Sequence, residues 1–287
     1  SLHAQNRPAD HAVAGERCAL NIQGPGIHKD AIGRGDWVVE PSQHAVTARF
    51  DAEIRLLSSE AAELRAWAPV MLHHGAGQVA ARIVPLEGNA LAPGATALAQ
   101  IVLDQPRPLR HGDRLVLRDP GARRTIGGGR ALDPRAPERR RRAPARLALL
   151  HALRTLTQGE ALAGVLAQPP HLLNLDRFAT DHAVAPAEAV RLAEEAGALA
   201  LPEAPWIVAP GPYAQLRAQA AAALATFHAR EPDSPGLTAE ALRLALPTRL
   251  SRDAFAALLA QLRLDGAVVQ DAHRLRSPQH EPGLGGE

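Results

Sequence analysis

The hydrophobic period of the chain changes once, just after Pro134, and that change restricts the fold to a β part followed by an α part. Ahead of it, VTARFDAEIRLL places Val46, Ala48, Phe50, Ala52 and Ile54 at every second position, with polar or charged residues between them. That is the period of a strand with one buried face. HAVAGERCALNIQG and AIGRGDWVVEP before it, and PVMLHH, GQVAARIVPL, ATALAQIVLD and DRLVLRD after it, read as further short strands separated by Pro and Gly clusters. Many short strands at regular spacing predict barrels or sandwiches, two in succession.

After Pro134 the pattern becomes helical. RAPERRRRAPARLALLHAL carries the run Arg139 to Arg142 and then Ala and Leu at helical spacing, and RFATDHAVAPAEAVRLAEEAGALA and YAQLRAQAAAALATFHAR continue it. In SRDAFAALLAQLRLDGAVVQDAHRLRSP, Ser251 caps a helix, Asp265-Gly266 stops it, and AVVQ and HRLR read as two small strands joined at Asp271-Ala272. Helices closed by a small hairpin are the layout of a winged helix. Two such units are expected, at 172–210 and 211–277, after an Arg-rich linker and helix at 135–171 and before a tail at 278–287.

Of the 287 residues, 46% are apolar but only 3% aromatic, so the cores must be built from Ala, Leu and Val. The net charge is only +2, yet nearly every cation is an arginine, since Lys29 is the single lysine. Arginine suits bidentate phosphate contacts and permits a nucleic-acid partner. One cysteine, Cys18, rules out an internal disulfide and a cysteine metal cluster, and it reads as a small core residue of an apolar strand. No signal peptide or membrane-length apolar run is present, which predicts a cytoplasmic protein without a membrane partner. The opening SLHAQNRPADHAVAGERCALNI has no initiator methionine and enters a strand pattern at once, as expected of a piece of a longer protein.

RRTIGGGRALDP, Arg123 to Pro134, invites a phosphate-loop reading. A P-loop needs G-x-x-x-x-G-K-[ST], and no lysine follows Gly127 to Gly129, so the glycines are expected in a bent or closely packed strand. Metal and nucleophile templates are also absent: there is no H-E-x-x-H and no G-x-S-x-G, and adjacent His73 and His74 point to opposite faces of a strand. Asp113 and Asp119 flank a strand, where turn roles are the default. Arg118, Arg123, Arg124 and Arg130 gather around one turn, with Arg139 to Arg142 close behind. Such a run is either a solvated face or a surface that grips a phosphate backbone without reading bases.

AGERCALNIQG, IGRGDWVVEP and RLVLRDPGARRTIGGGRALDP, together with the L-H-H-G segment and the Arg-rich linker, resemble translational GTPases of the EF-Tu type, and specifically the bacterial selenocysteine-specific elongation factors. The resemblance implies EF-Tu-like β-barrels followed by winged-helix domains: the C-terminal part of barrel domain 2 at 1–44 and barrel domain 3 at 45–134. It further implies that Arg17 lines the aminoacyl pocket facing a selenol, and that Arg118, Arg123 and Arg124 touch tRNA, in a turn one residue longer than the family's. His73, His74 and Gly75 fall in a family motif whose implied role is structural first and tRNA-facing second. The implied partners are selenocysteinyl-tRNA, the ribosome and, through further C-terminal domains not matched here, the selenoprotein mRNA hairpin. GTP and magnesium are implied for a GTPase domain that nothing here matches, and no catalytic residue, cofactor or metal site is expected in this chain. A winged-helix DNA-binding regulator and a non-catalytic interaction scaffold remain the alternatives, although the helix SRDAFAALLAQLRLDG offers duplex DNA only Arg252 and Arg263.

Overall fold

The computed structural model describes residues 1–4, 7–28, 30–154, 157–202 and 204–281; Lys29 and tail residues 282–287 lie outside them. Three short strands open the chain, β1 (Leu2–Ala4), β2 (Arg7–Ala9) and β3 (Cys18–Leu20), paired in the order β2-β1-β3. No described residue before Phe50 is buried. Cys18 is exposed rather than a core residue, because no second layer covers this sheet.

The barrel follows. Its strands are β4 (Val46–Leu56), β6 (Ala68–His74), β7 (Gly77–Pro85), β9 (Thr96–Pro108), β10 (Arg114–Arg118) and β11 (Thr125–Asp133). A small pair, β5 (Leu64–Arg65) and β8 (Ala90–Leu91), sits beside them. The six long strands close antiparallel in the order β10-β11-β4-β9-β7-β6, so no sheet edge is left open. Phe50, Ala52, Ile54 and Leu56 point into the barrel as their alternation predicts, but Val46 and Ala48 are exposed. A register shift between Thr47 and Arg49 is the reason: the Thr47 hydroxyl accepts from the Arg49 amide at 3.0 Å and resets the alternation.

The three glycines are part of this wall. A Cβ on Gly127 would stand 2.5 Å from the Arg55 carbonyl oxygen, one on Gly128 2.6 Å from that of Leu115, and one on Gly129 would overlap that of Glu53. Their missing side chains let β11 approach β4 and β10 on either side.

Beyond the barrel come α1 (Pro144–Ala152), α2 (Gln158–Leu166), β12 (Leu172–Asn174), α3 (Leu175–His182), α4 (Pro186–Glu195), β13 (Leu199–Ala200) and β14 (Trp206–Val208). A second set follows: α5 (Pro210–Arg230), α6 (Ala239–Ala245), α7 (Arg252–Leu264), β15 (Val269–Asp271) and β16 (Arg274–Arg276). Side-chain caps start α2 at Thr157, α3 at Asn174, α6 at Thr238 and α7 at Ser251. The second set is a winged helix whose hairpin gains a third strand position through the Leu237–Leu275 bridge. The first set starts earlier than 172: α2 packs on α4, and Ala161 and Leu162 are fully buried with Phe178 and Ala189. Part of the expected linker is therefore the first helix of that unit, because its apolar face has no other layer to cover it.

The barrel and the first winged helix share one core. Leu86, Leu98 and Leu132 on the barrel exterior pack with Leu150 and Leu153 of the α1 region, Leu162 of α2 and Phe178 of α3. Polar contacts fasten the same junction. Arg146 on α1 donates from Nε to Asp51 Oδ2 at 2.8 Å and from Nη1 to Asp133 Oδ2 at 2.6 Å, while Gln100 Nε2 donates to Asp51 Oδ1 at 3.0 Å. Burial pushes the Asp51 carboxyl up, against the pull of Arg146 and Gln100. Burial also opposes the Arg146 charge, but Asp133 and Asp51 hold it above its ordinary range. Nearby, Arg135 donates to Asp181 at 2.6 Å, and the His182 ring stacks on His111 and on Phe178 with its Nδ1 2.8 Å from Gln158 Oε1. Burial, with a smaller contribution from His111, depresses His182 to about 3.

Gly129→Ala should cost about 3 kcal/mol or more by urea denaturation, since the added methyl has no room beside backbone. Gly211→Ala is its control: nothing lies within 4 Å of a Cβ there, and little change is expected. The second expectation concerns pH. His182 is depressed on folding, so the unfolded chain binds its proton first, and the stability this residue contributes is complete above about 6.5 and lost as pH falls toward 3. Burial raises Asp181, which works in the opposite sense. Relative to His182→Phe, the parent should therefore lose up to about 1.4 kcal/mol per pH unit below 6.5, read as chemical denaturation midpoints across that range.

Candidate nucleic-acid interface

Arg118, Arg123 and Arg124 all lie on the β10–β11 hairpin, so the structure brings together three of the four residues given a site role, Arg17 being the fourth; Arg130 lies further along β11, paired with Glu53. Asp119 builds its turn. The carboxylate Oδ1 accepts from the Arg124 amide at 2.7 Å, the Asp119 amide donates to the Arg124 carbonyl at 3.1 Å, and the Ala122 amide donates to the Asp119 carbonyl at 2.8 Å. Ala122 takes a left-handed φ of 52°, which swings Arg123 outward at the tip. The Arg124 amide, followed by other turn donors and the Arg124 charge, holds the Asp119 carboxyl below the usual carboxylate range.

The three arginines are not equivalent. Arg123 is exposed and makes no ion pair among the described residues. Arg124 is also exposed, but its guanidinium pairs with Glu60, which raises its already high pKa. Arg118 is half-buried beside His73, whose ring it helps to keep neutral after the larger effect of burial. Of these three, among the described residues, one is a free cation, one already has an anion, and one is partly turned into the wall. The Glu60 partnership has no sequence signal, because 64 residues separate the pair.

Arg17 stands apart, exposed just ahead of β3, with no bond to the hairpin among the described residues. The segment that carries it reaches the barrel through other side chains. Trp37 stacks on His74 with ring centroids 5.1 Å apart, Arg34 Nε donates to the Ala76 carbonyl at 3.3 Å, and Gly35, with φ of 98°, lies against Gly77. His74 Nε2 is 3.0 Å from Asp113 Oδ2, and Asp113 also accepts from the Arg110 amide at 2.9 Å, so these residues carry a structural role. Gly127 to Gly129 are strand, closed off by neighbouring carbonyls, and not a loop. GTP and magnesium therefore do not fit this glycine run.

A closed six-stranded barrel, docked to winged helices and carrying an arginine hairpin at its rim, defines a multidomain protein of barrel and winged-helix modules. The β-barrel domain profile of the selenocysteine-specific elongation factors matches residues 51–138, and the winged-helix profile of elongation factor SelB matches 221–276. The selenocysteine-specific elongation factor of Escherichia coli K12 is 33% identical over 298 residues, covering 100% of this chain and 44% of that protein. Its counterpart from Haemophilus influenzae is 26% identical, covering 98% and 44%. A bacterial selenocysteine-specific elongation factor EF-Sec, solved as a crystal structure, superimposes with a TM-score of 0.66 at 16% identity, over 97% of this chain and 42% of that one, and so shares the fold. The chain belongs to the selenocysteine-specific elongation factor family, and it spans less than half the length of these relatives.

Asp119→Ala should loosen the hairpin without unfolding the barrel. Hydrogen exchange at the Arg124 amide is expected to speed up at least tenfold, with exchange in β4 and β9 unchanged.

Proposed function

We propose that this chain is the tRNA-holding and connecting part of a selenocysteine-specific elongation factor, which delivers selenocysteinyl-tRNA to the ribosome at recoded UGA codons in the cytoplasm. The observation that carries the reading is the similarity, from end to end of the chain, to proteins of that name. In it, Arg123 makes the main phosphate contact of the hairpin, Arg124 contributes less because Glu60 already balances it, and Arg118 supports from the wall. Arg17 faces the amino-acid end. A selenol is ionised at neutral pH, so a fixed guanidinium favours selenocysteine over uncharged serine. The winged helices, fastened to the barrel through Arg146, carry its position toward the end of the factor that holds the mRNA hairpin. GTP and magnesium act in the GTPase domain of the whole factor.

Binding to selenocysteine tRNA, elongator serine tRNA and a DNA duplex, measured over a salt series, tests this reading. Preference for the selenocysteine tRNA is expected, with Arg123→Ala weakening it several-fold and lowering the slope of log K against log salt by about 0.9. Arg124→Ala should do less. Preference for the duplex would replace the reading with a DNA-binding regulator, whereas α7 answers with Arg252 already 3.6 Å from Glu240.

A further inference from the structure

The Arg139 to Arg142 run is the part of the sequence that the proposed function leaves unused. It forms a strap between β11 and α1 that crosses the outside of the barrel. Glu138 is 3.6 Å from Arg49 on β4, the Pro137 carbonyl accepts from Gln100 on β9 at 3.1 Å, and the Pro85 carbonyl of β7 accepts from Arg142 at 2.8 Å. Between these tethers Arg139 and Arg140 are exposed, and neither has an ion-pair partner among the described residues. Arg140 takes a left-handed φ of 57°, so the chain turns at the crest of the strap.

The barrel under the strap adds to the charge. Arg49 and Arg82 are both opposite Val102, so they stand in one row across three strands. At a strand spacing of about 4.8 Å their backbones are about 10 Å apart, which matches about three nucleotides at the ~3.4 Å rise of a nucleic-acid strand. Arg82 is exposed, whereas Arg49, 3.6 Å from Glu138, is partly balanced and lends less charge to the row.

An aromatic ring completes the patch. Trp67 keeps 47% of its surface exposed. Its φ of 67° is a conformation that bulky residues avoid. Arg141 lies over the ring, 5.3 Å from its centroid, and Arg82 donates to the Trp67 carbonyl at 3.4 Å. The chain thus holds an indole outward, in a strained backbone, beside guanidinium groups. A carboxylate-rich peptide would use the charges but not the ring, whereas an unpaired RNA segment would use both, phosphates on arginine and a base on the indole.

We propose that the strap and the strands beneath it form a second RNA surface, separate from the β10–β11 hairpin, which grips unpaired RNA through Arg139, Arg140 and the Arg49–Arg82 row and stacks one base against Trp67. RNA is the polyanion at hand for a translation factor, and in that respect the surface rests on the proposed function; the charges and the ring do not.

The test is fluorescence anisotropy of the full chain with a labelled 15-nucleotide single-stranded RNA of mixed sequence, across a salt series, with a poly-glutamate peptide as competitor. Arg139→Ala/Arg140→Ala should weaken binding at least fivefold and lower the salt slope by about 1.4, two contacts at ~0.7 each. Thermal melting should stay at the parental temperature, because neither side chain is paired. Trp67→Ala should weaken binding at least threefold, while Trp67→Phe, which keeps a stacking face, restores most of it. Parental affinity in the double arginine variant overturns the proposal. So does a Trp67→Ala variant with parental affinity in which poly-glutamate competes as well as RNA, a result that assigns the patch to an acidic protein segment. Arg123→Ala is expected to retain its sensitivity to the strap variants, so loss of tRNA binding there tests the hairpin alone, and the two readings fail independently.

Discussion

Arg146 reaches from the first helix after the barrel to two barrel carboxylates, Asp51 and Asp133, and the placement of everything C-terminal depends on that reach. Asp51 is fully buried although it points away from the barrel interior. Removing one partner of such a cluster leaves an uncompensated charge, at a cost of about 3–5 kcal/mol. Apolar packing of Leu86, Leu98 and Leu132 on the helices supplies adhesion at the same junction but little direction. The ionic contacts and the His111–His182 stack supply the direction in which the first winged helix meets the barrel.

The junction also explains why two arginine groups of similar appearance end up with different jobs. The hairpin arginines stand at the rim, where Asp119 shapes the turn and Glu60 draws off one charge. The strap arginines are laid along the barrel because Asp133 and Arg146 fix where the strap starts and where α1 takes over. Arg142 is absorbed by the Pro85 carbonyl, whereas Arg139 and Arg140 at the crest are left to solvent. Local charge density in the sequence is therefore a poor guide to free charge on the surface.

Several features were legible before the structure. The alternation through Phe50, Ala52 and Ile54 showed its inward face, the missing lysine assigned Gly127 to Gly129 to a strand, and Ser251 and Gly266 marked the ends of a helix. Misreadings came where a local pattern met a non-local partner. Val46 and Ala48 had the right alternation on the wrong side of a bulge, and Cys18 lay in an apolar run that nothing covers. The first winged helix began one helix early, since α2 is defined by its packing on α4 and not by its own residues.

The sequence by itself determined the kinds of element, their order and the family, because period, caps and motifs are properties of neighbouring residues. Only the tertiary structure decided which charges are paired and which are free. Arg146 and Asp51 are 95 residues apart, and Arg124 and Glu60 are 64 apart. An ion pair depends on distance in space, to which separation along the chain is no guide, and barrel closure is what converts one into the other.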